Sequence, residues 1–376
     1  MSRYAGSEGF RHGTPEKLGV LVTNLGTPDA PETGALRRYL KEFLWDPRVV
    51  EVPRPLWWLI LNGVILRIRP RRSAEAYRAV WTEEGSPLLS ISRAQVAGIK
   101  ERLSARLSAP VEVVLGMRYG NPSIPAALKQ LHDLNVRRLL VLPLYPQYSA
   151  STTASTFDAL ATTLMGWRWI PELRFISRYH DEPGYIGALA DSVREHWAEK
   201  GRGEHLVMSF HGVPRRYLDK GDPYHCQCVK TGRLLAERLE LEDGSWSVTF
   251  QSRFGREEWL KPYTDASIRA LGQRGLTRID VICPGFSADC LETIEEIGVE
   301  NAGYFHEAGG EALNYIPCLN TRGDHLDYLA DLALRHLQGW PETGPARDPA
   351  ELAAESQASK ARAERLVAAR EAGELG

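Results

Sequence analysis

Residues 139–150, LLVLPLYPQYSA, and residues 279–288, IDVICPGFSA, decide how this chain is built. The first opens with an apolar run that has no polar face, the pattern of a strand covered on both sides in a parallel sheet. Each run ends near a proline, Pro146 or Pro284, and each proline leads into an aromatic-serine-alanine triplet, Tyr148-Ser149-Ala150 or Phe286-Ser287-Ala288. A second pair repeats at nearly the same spacing: Met117-Arg118-Tyr119-Gly120 and Ser252-Arg253-Phe254-Gly255, each just after an apolar run. The offsets are 138 residues (146 to 284) and 135 residues (117 to 252). Asn24-Leu25-Gly26-Thr27-Pro28 and Phe210-His211-Gly212-Val213-Pro214 share only Gly-x-Pro, at a different offset. Two matched pairs at nearly one spacing indicate two similar domains.

Working outward, the strand pattern recurs at Leu18–Thr23, Val111–Met117, Leu139–Leu144, Leu173–Ser177, Leu206–Phe210, Ser247–Phe250 and Ile279–Cys283. Helix-length segments lie between, at Pro31–Leu44, Ser90–Leu107, Ser123–Leu134, Pro183–Ala198, Val229–Leu239, Arg256–Gly272 and Ala288–Val299. This alternation predicts an α/β protein with doubly wound parallel sheets. A flexible N-terminus is expected over 1–17. The first domain is then expected over 18–168 and the second over 169–323, with Gly166 and Pro171 marking the boundary. A helix over 324–340 is expected to return to the first domain, and 341–376 reads as a solvated Ala/charged tail.

Composition narrows the function classes. The 376 residues carry 46 Lys plus Arg against 48 Asp plus Glu, so the basic excess that marks a nucleic-acid binder is missing. Five cysteines are too few for a disulfide-stapled scaffold, and the first residues hold no apolar signal region. The expected compartment is therefore the cytoplasm. The most apolar window, Leu56 to Ile68, is about 13 residues long, below the roughly 20 needed to span a bilayer. Flanked by Arg54, Arg67, Arg69, Arg71 and Arg72, it reads either as a buried helix or as an exposed apolar lip for membrane or a greasy ligand.

Ligands of doubly wound sheets bind beyond the carboxyl ends of the strands. The chain has no G-x-G-x-x-G at those ends and no P-loop, H-E-x-x-H or G-x-S-x-G anywhere. What stands there instead is His211, directly after an apolar strand. A histidine in that place titrates near neutrality and can ligate a metal, or it can simply cap a turn. After the strand ending at Cys283 come Asp289, Glu292, Glu296 and Glu300. On a regular helix 292, 296 and 300 share one face, where like charges repel. Such a row suits a divalent cation or a proton path, or is a solvated acidic face. Tyr145 to Thr153 offers an aromatic wall followed by hydroxyl residues, or a packed corner. His225-Cys226-Gln227-Cys228 falls short of a four-ligand zinc pattern.

Together these segments resemble the ferrochelatase family. The likeness rests on Ser209-Phe210-His211-Gly212-Val213-Pro214 with Lys220-Gly221-Asp222-Pro223-Tyr224, on Tyr145-Pro146-Gln147-Tyr148-Ser149 with Ser151-Thr152-Thr153, and on Asn24-Leu25-Gly26-Thr27-Pro28. Gln251-Ser252-Arg253-Phe254-Gly255, Trp259-Leu260, Thr264-Asp265 and the acidic segment Phe286–Glu296 complete it. The resemblance implies two Rossmann-like domains with the active site in the cleft between them, and insertion of Fe(II) into protoporphyrin IX to form protohaem. It implies His211, Glu292 and Glu296 as catalytic residues, with His211 and Glu292 meeting the metal. It implies Leu25, Arg118, Tyr119, Tyr148, Trp259 and Phe286 as porphyrin-binding residues. The 56–68 window then corresponds to a lip over the porphyrin, with Trp57 and Leu61 expected in it and a peripheral membrane contact through it.

Such chemistry needs a base for the pyrrole N–H protons, a metal path and walls that hold the macrocycle. Two departures from the family pattern stand out. Cys290 occupies the place where many members carry a histidine, and there is no cysteine after Cys318, so no [2Fe–2S] cluster and no resident cofactor are expected. Iron and porphyrin are expected as substrates. The competing readings are a coproporphyrin ferrochelatase, a porphyrin or haem carrier of the same fold, and a cobalt or nickel chelatase for a tetrapyrrole of the sirohydrochlorin kind.

Overall fold

The apolar runs form eight strands: β1 (Lys17–Thr27), β2 (Val111–Gly120), β3 (Val136–Pro143), β4 (Glu172–Phe175), β5 (His205–His211), β6 (Trp246–Gln251), β7 (Arg278–Ile282) and β8 (Ala312–Ile316). They appear in a computed structural model that describes residues 4–6, 10, 14–255, 257–344 and 349–372. The strands make two four-stranded sheets, ordered β2-β1-β3-β4 and β6-β5-β7-β8. Every pairing is parallel. The internal repeat is thus a repeat of topology, since both sheets place their first strand second and their second strand at the edge. Central β1 is buried along nearly its whole length, as a strand covered by helices on both faces must be.

Strand β8 has no counterpart in the sequence expectation. Asn314 interrupts its apolar run, and its amide donates to Asp280 Oδ1 at 2.9 Å. An edge strand supported by side-chain bonds and half-covered on its faces carries too weak a period to read locally. The helix expected from Arg256 begins instead at Thr264 and runs to Gln273, and Arg256 itself lies outside the described residues. Pro262 explains the late start: it lacks the N–H a helix interior needs and disfavours helical geometry at Lys261.

The acidic segment departs most. It is not one helix but a short turn Leu291–Ile294, a wider π turn Glu296–Asn301, and the helix Ala302–Glu307. A π turn inserts an extra residue per turn. It therefore shifts the phase, and Glu292, Glu296 and Glu300 do not share a face. Glu300 is exposed and accepts from its neighbour Tyr304 at 2.6 Å.

The 56–68 window also resolves differently from either expectation alone. It spans a helix Arg54–Ile60, a π turn Leu61–Ile65 and the start of the helix Leu66–Val80. Trp57 and Leu61, expected in the lip, are turned inward at 6% and 1% exposure and packed with Leu36, Leu40 and Leu44, although Trp57 also lines the cavity described below. Trp57 Nε1 also donates to the Leu44 carbonyl at 2.6 Å. Leu56, Trp58, Leu59, Val64 and Ile68 face outward, all more than half exposed. The segment has one face for the core and one for something else. Among the described residues no helix is long and apolar enough to cross a membrane.

One continuous apolar cluster joins the two sheets, running from Leu18 and Leu140 through Leu189 to Met208 and Phe210. The helix Gly323–Leu337 contributes Leu326, Leu329 and Ala333 to it. Its outer side pairs with the helix Pro87–Ser104 through Arg102 and Asp327 at 2.6 Å. The beginning of the expected tail is anchored rather than solvated: Glu342 is buried and takes a two-pronged bond from Arg138 at 2.6–3.0 Å. Further on, the helix Pro349–Glu371 is largely exposed.

Candidate active site

The carboxyl ends of β1 and β5 and the segments after β3 and β7 converge on one cavity of about 350 Å³ between the sheets. The volume lies in the range of about 300–1,000 Å³ usual for small-molecule sites. Two glycines let the backbones meet there. Gly26 has φ +110°, and a Cβ on it would sit 1.7 Å from the Tyr119 carbonyl oxygen. A Cβ on Gly212 would come 2.7 Å from the Gln251 carbonyl oxygen. Each glycine allows a central strand to run past its edge-strand neighbour into the cavity wall.

His211 is the last residue of β5 and half-buried. Its Nδ1 lies 2.7 Å from the Gly212 carbonyl oxygen. That oxygen can only accept, so Nδ1 carries the proton and Nε2 of the neutral ring keeps its lone pair. The Tyr224 hydroxyl donates to the His211 carbonyl at 2.9 Å, tying the strand end to the helix Tyr224–Arg238. Phe286 stands beside the imidazole, with ring centroids 6.5 Å apart.

Glu292 lines the cavity from the first turn after Cys290. Its carbonyl accepts from Gln251 Nε2 at 2.8 Å. Glu296 stands behind it, outside the cavity lining. Its carboxylate accepts from the Ser252 backbone N–H at 2.8 Å, from Ser252 Oγ at 2.5 Å and from Gln251 Nε2 at 3.3 Å. Burial raises the Glu296 pKa; the Ser252 hydrogen bond and the nearby His211 pull it down, and the Glu292 charge pushes it up again. The three expected catalytic side chains therefore form one electrostatic cluster, in two layers. Gln251 links the layers to β5, because its Oε1 accepts from Ser209 Oγ at 2.6 Å. Among the described residues no three His, Cys, Asp or Glu side chains form a cation cage.

Of the expected porphyrin contacts, Leu25, Trp259 and Phe286 line the cavity. Arg118, Tyr119 and Tyr148 do not. Tyr119 is fully enclosed, and its hydroxyl donates to Asp46 Oδ2 at 2.8 Å. Arg118 donates to the same oxygen at 2.5 Å and to the Ser155 carbonyl at 2.9 Å. Together they brace Asp46 at the start of the loop whose later residues, Val49 to Val52, do line the cavity. Tyr148 belongs to a joint between the halves. Its backbone N–H donates to Gln227 Oε1 at 2.7 Å, and Ala150 N–H donates to Asp222 Oδ2 at 2.7 Å. Arg118 and Tyr119 thus position the wall rather than forming it, whereas around Tyr148 the neighbouring Tyr145, Gln147, Ser149, Ser151 and Thr152 do line the cavity.

Sequence reasoning missed Tyr39 and Tyr77, which complete the wall from helices of the first half. Burial, with the Glu292 charge, pushes the Tyr77 phenol well above its ordinary pKa. Each sits in an ordinary amphipathic helix, so nothing in the local pattern separates it from core. Cys290 lines the cavity too, and burial, with the Glu292 charge, holds its thiol neutral.

Comparison with known proteins adds a family. The profile describing ferrochelatase matches residues 17–337 of this chain. A ferrochelatase of Thioalkalivibrio sulfidiphilus is 64% identical over 361 residues, covering 96% of this chain and 98% of its own length. One from Marinobacter nauticus is 62% identical over 344 residues, covering 91% of this chain and 93% of its own.

Proposed function

We propose that this chain, which belongs to the ferrochelatase family and is a metal-chelating lyase for iron and a porphyrin, takes protoporphyrin IX as its porphyrin and makes protohaem, the last step of haem biosynthesis. The observation that supports this substrate is the cavity wall. Leu25, Val52, Trp57, Leu88, Trp259 and Phe286 make it apolar and aromatic, and Arg216 is the one Lys or Arg lining it among the described residues. Protoporphyrin carries both propionates on one edge and only apolar groups on the other. It can enter apolar edge first and leave both carboxylates at the mouth. Coproporphyrin has carboxylates on both edges and brings a pair inside, where burying an unpaired carboxylate is costly.

In this reading two pyrrole N–H protons leave as Fe(II) binds the four ring nitrogens, and no electron is transferred. His211 Nε2 takes a proton from the ring as the general base at the cavity wall. Glu292 meets the incoming iron and balances its charge at the cavity wall. Glu296, with its raised pKa, accepts protons more readily than an exposed glutamate does and passes them outward. Leu25, Trp259 and Phe286 hold the flat macrocycle. Turnover of protoporphyrin and coproporphyrin is compared anaerobically with Fe(II), followed by Soret absorbance. Protoporphyrin is expected to lead in kcat/KM by about tenfold or more, a difference of about 1.4 kcal/mol; preference for coproporphyrin would overturn the reading.

The same reading makes this a cytoplasmic protein in peripheral contact with the inner face of the cytoplasmic membrane. Its support is the outward face of residues 56–68, with Trp58 and Leu59 at 54% and 61% exposure. Basic residues beside such a face meet anionic head groups. A W58S/L59S variant is expected to lose most co-sedimentation with phosphatidylglycerol-containing vesicles while its thermal midpoint stays within about 2 °C, because surface substitutions usually change stability by less than about 0.5 kcal/mol. Undiminished vesicle binding would sink the contact.

A further inference from the structure

Three chain segments meet at the cavity rim through one guanidinium. Arg216, in the short helix Arg215–Asp219, stands between Glu51, from the loop that precedes the helix Arg54–Ile60, and Glu257, from the loop after β6. Arg216 Nη1 pairs with Glu257 Oε2, and Arg216 Nε lies 3.4 Å from Glu51 Oε2. Lys220 Nζ approaches the same Glu51 oxygen at 3.5 Å from the solvent side, itself 69% exposed. Glu51, Arg216 and Glu257 all line the cavity. Their place is set by uncharged bonds nearby: the Tyr217 hydroxyl donates to the Arg48 carbonyl at 2.7 Å, and Arg215 N–H donates to the Glu258 carbonyl at 2.9 Å.

The ion pairs are partly exposed, with side-chain exposures of 28% for Arg216, 37% for Glu51 and 43% for Glu257. Pairs of that kind add little to stability, and the segments they join are already held. Their effect falls on what arrives at the rim. The one cation lining the cavity among the described residues has both of its flanks taken by carboxylates. A carboxylate on the entering edge of a porphyrin has to pass these two like charges and finds no free, fork-shaped donor, whereas carboxylates on the trailing edge stay outside them.

We infer that Glu51 and Glu257 are specificity-determining residues: by occupying Arg216 they turn the rim against carboxylates that must pass it, and so select the macrocycle that enters with an apolar edge. This rests on the reading of protoporphyrin as substrate and names the residues that enforce it. The guanidinium is the latent carboxylate site, and the two glutamates keep it closed.

The test is the ratio of kcat/KM for coproporphyrin to that for protoporphyrin in the full chain. In an E51Q/E257Q variant Arg216 is released and two repelling charges are gone, so the ratio is expected to rise by about tenfold or more. In R216Q the two carboxylates stand unpaired, and the ratio is expected to fall. Raising the salt concentration on the wild-type protein is expected to narrow its discrimination, since the rim charges are open to solvent. An unchanged ratio in a double variant with the wild-type thermal midpoint overturns the inference. Should the double variant not fold, E51Q and R216Q alone decide it, because the ratio must rise in the first and fall in the second. Preference of the wild-type protein for coproporphyrin overturns the substrate reading itself, and is seen before any variant is made.

Discussion

Replacing His211 by alanine is expected to lower metal insertion by about 10²–10⁴-fold, the usual contribution of a positioned general base, with fold and porphyrin binding retained. The side chain stands at the end of β5, beyond the buried Phe210, and among the described residues only one of its ring nitrogens has a protein partner. Losing the bond from Nδ1 to the Gly212 carbonyl exposes no buried charge. A net cost of about 0.5–1.5 kcal/mol is all that hydrogen bond accounts for. The strand end keeps its own anchors, the Tyr224 hydroxyl on the His211 carbonyl and the Gly212 N–H on the Gln251 carbonyl at 2.8 Å. Three measurements decide it: anaerobic Zn(II) and Fe(II) insertion by Soret absorbance, thermal unfolding, and porphyrin fluorescence quenching. Near wild-type turnover in a folded, porphyrin-binding variant removes His211 from the chemistry.

Glu292→Gln is expected to lose about 100-fold or more in turnover, whereas Glu300→Gln loses less than about twofold, as ordinary surface substitutions do. The substitutions are chemically the same; the π turn after Ile294 makes them different. It leaves Glu292 on the cavity wall and turns Glu300 to solvent, where its carboxylate holds the Tyr304 hydroxyl and pushes that phenol up to about 12. Glutamine preserves the shape of Glu292 but has neither the charge that balances Fe(II) nor a basic oxygen for a proton. Equal losses at both positions would mean that the acidic segment acts as a diffuse field. Equal indifference would return it to a solvated face.

Much of this architecture is legible along the chain. The double-sided apolar runs at Leu18–Thr23 and Leu139–Leu144 are strands in place, and the repeat of Pro146–Ala150 at Pro284–Ala288 corresponds to two sheets of one topology. His211 is legible because a strand's end and the histidine after it are adjacent in sequence. The same adjacency misleads at Arg118-Tyr119-Gly120. That motif closes β2, yet its side chains turn to Asp46 and Ser155 and Arg118 holds a loop residue 72 positions earlier.

Most strand positions, the strand–helix alternation and the strand-end position of His211 follow from the sequence by itself, because each rests on a period of two or 3.6 residues within about ten positions. Four features wait on the tertiary structure. They are the core face of Trp57 and Leu61, the phase shift that parts Glu292 from Glu300, the two-layered placement of Glu296 behind the wall, and the meeting of Glu51, Arg216 and Glu257. The reason is common to all four. Which side of an apolar helix is buried, and which charges stand within a few ångströms, depends on neighbours beyond the local period, 13 residues away for Trp57 and Leu44, 44 for Glu296 and Ser252, and 165 for Glu51 and Arg216. For Glu51 and Arg216 those neighbours come together only when one apolar core, from Leu18 to Phe210, closes the two sheets against each other.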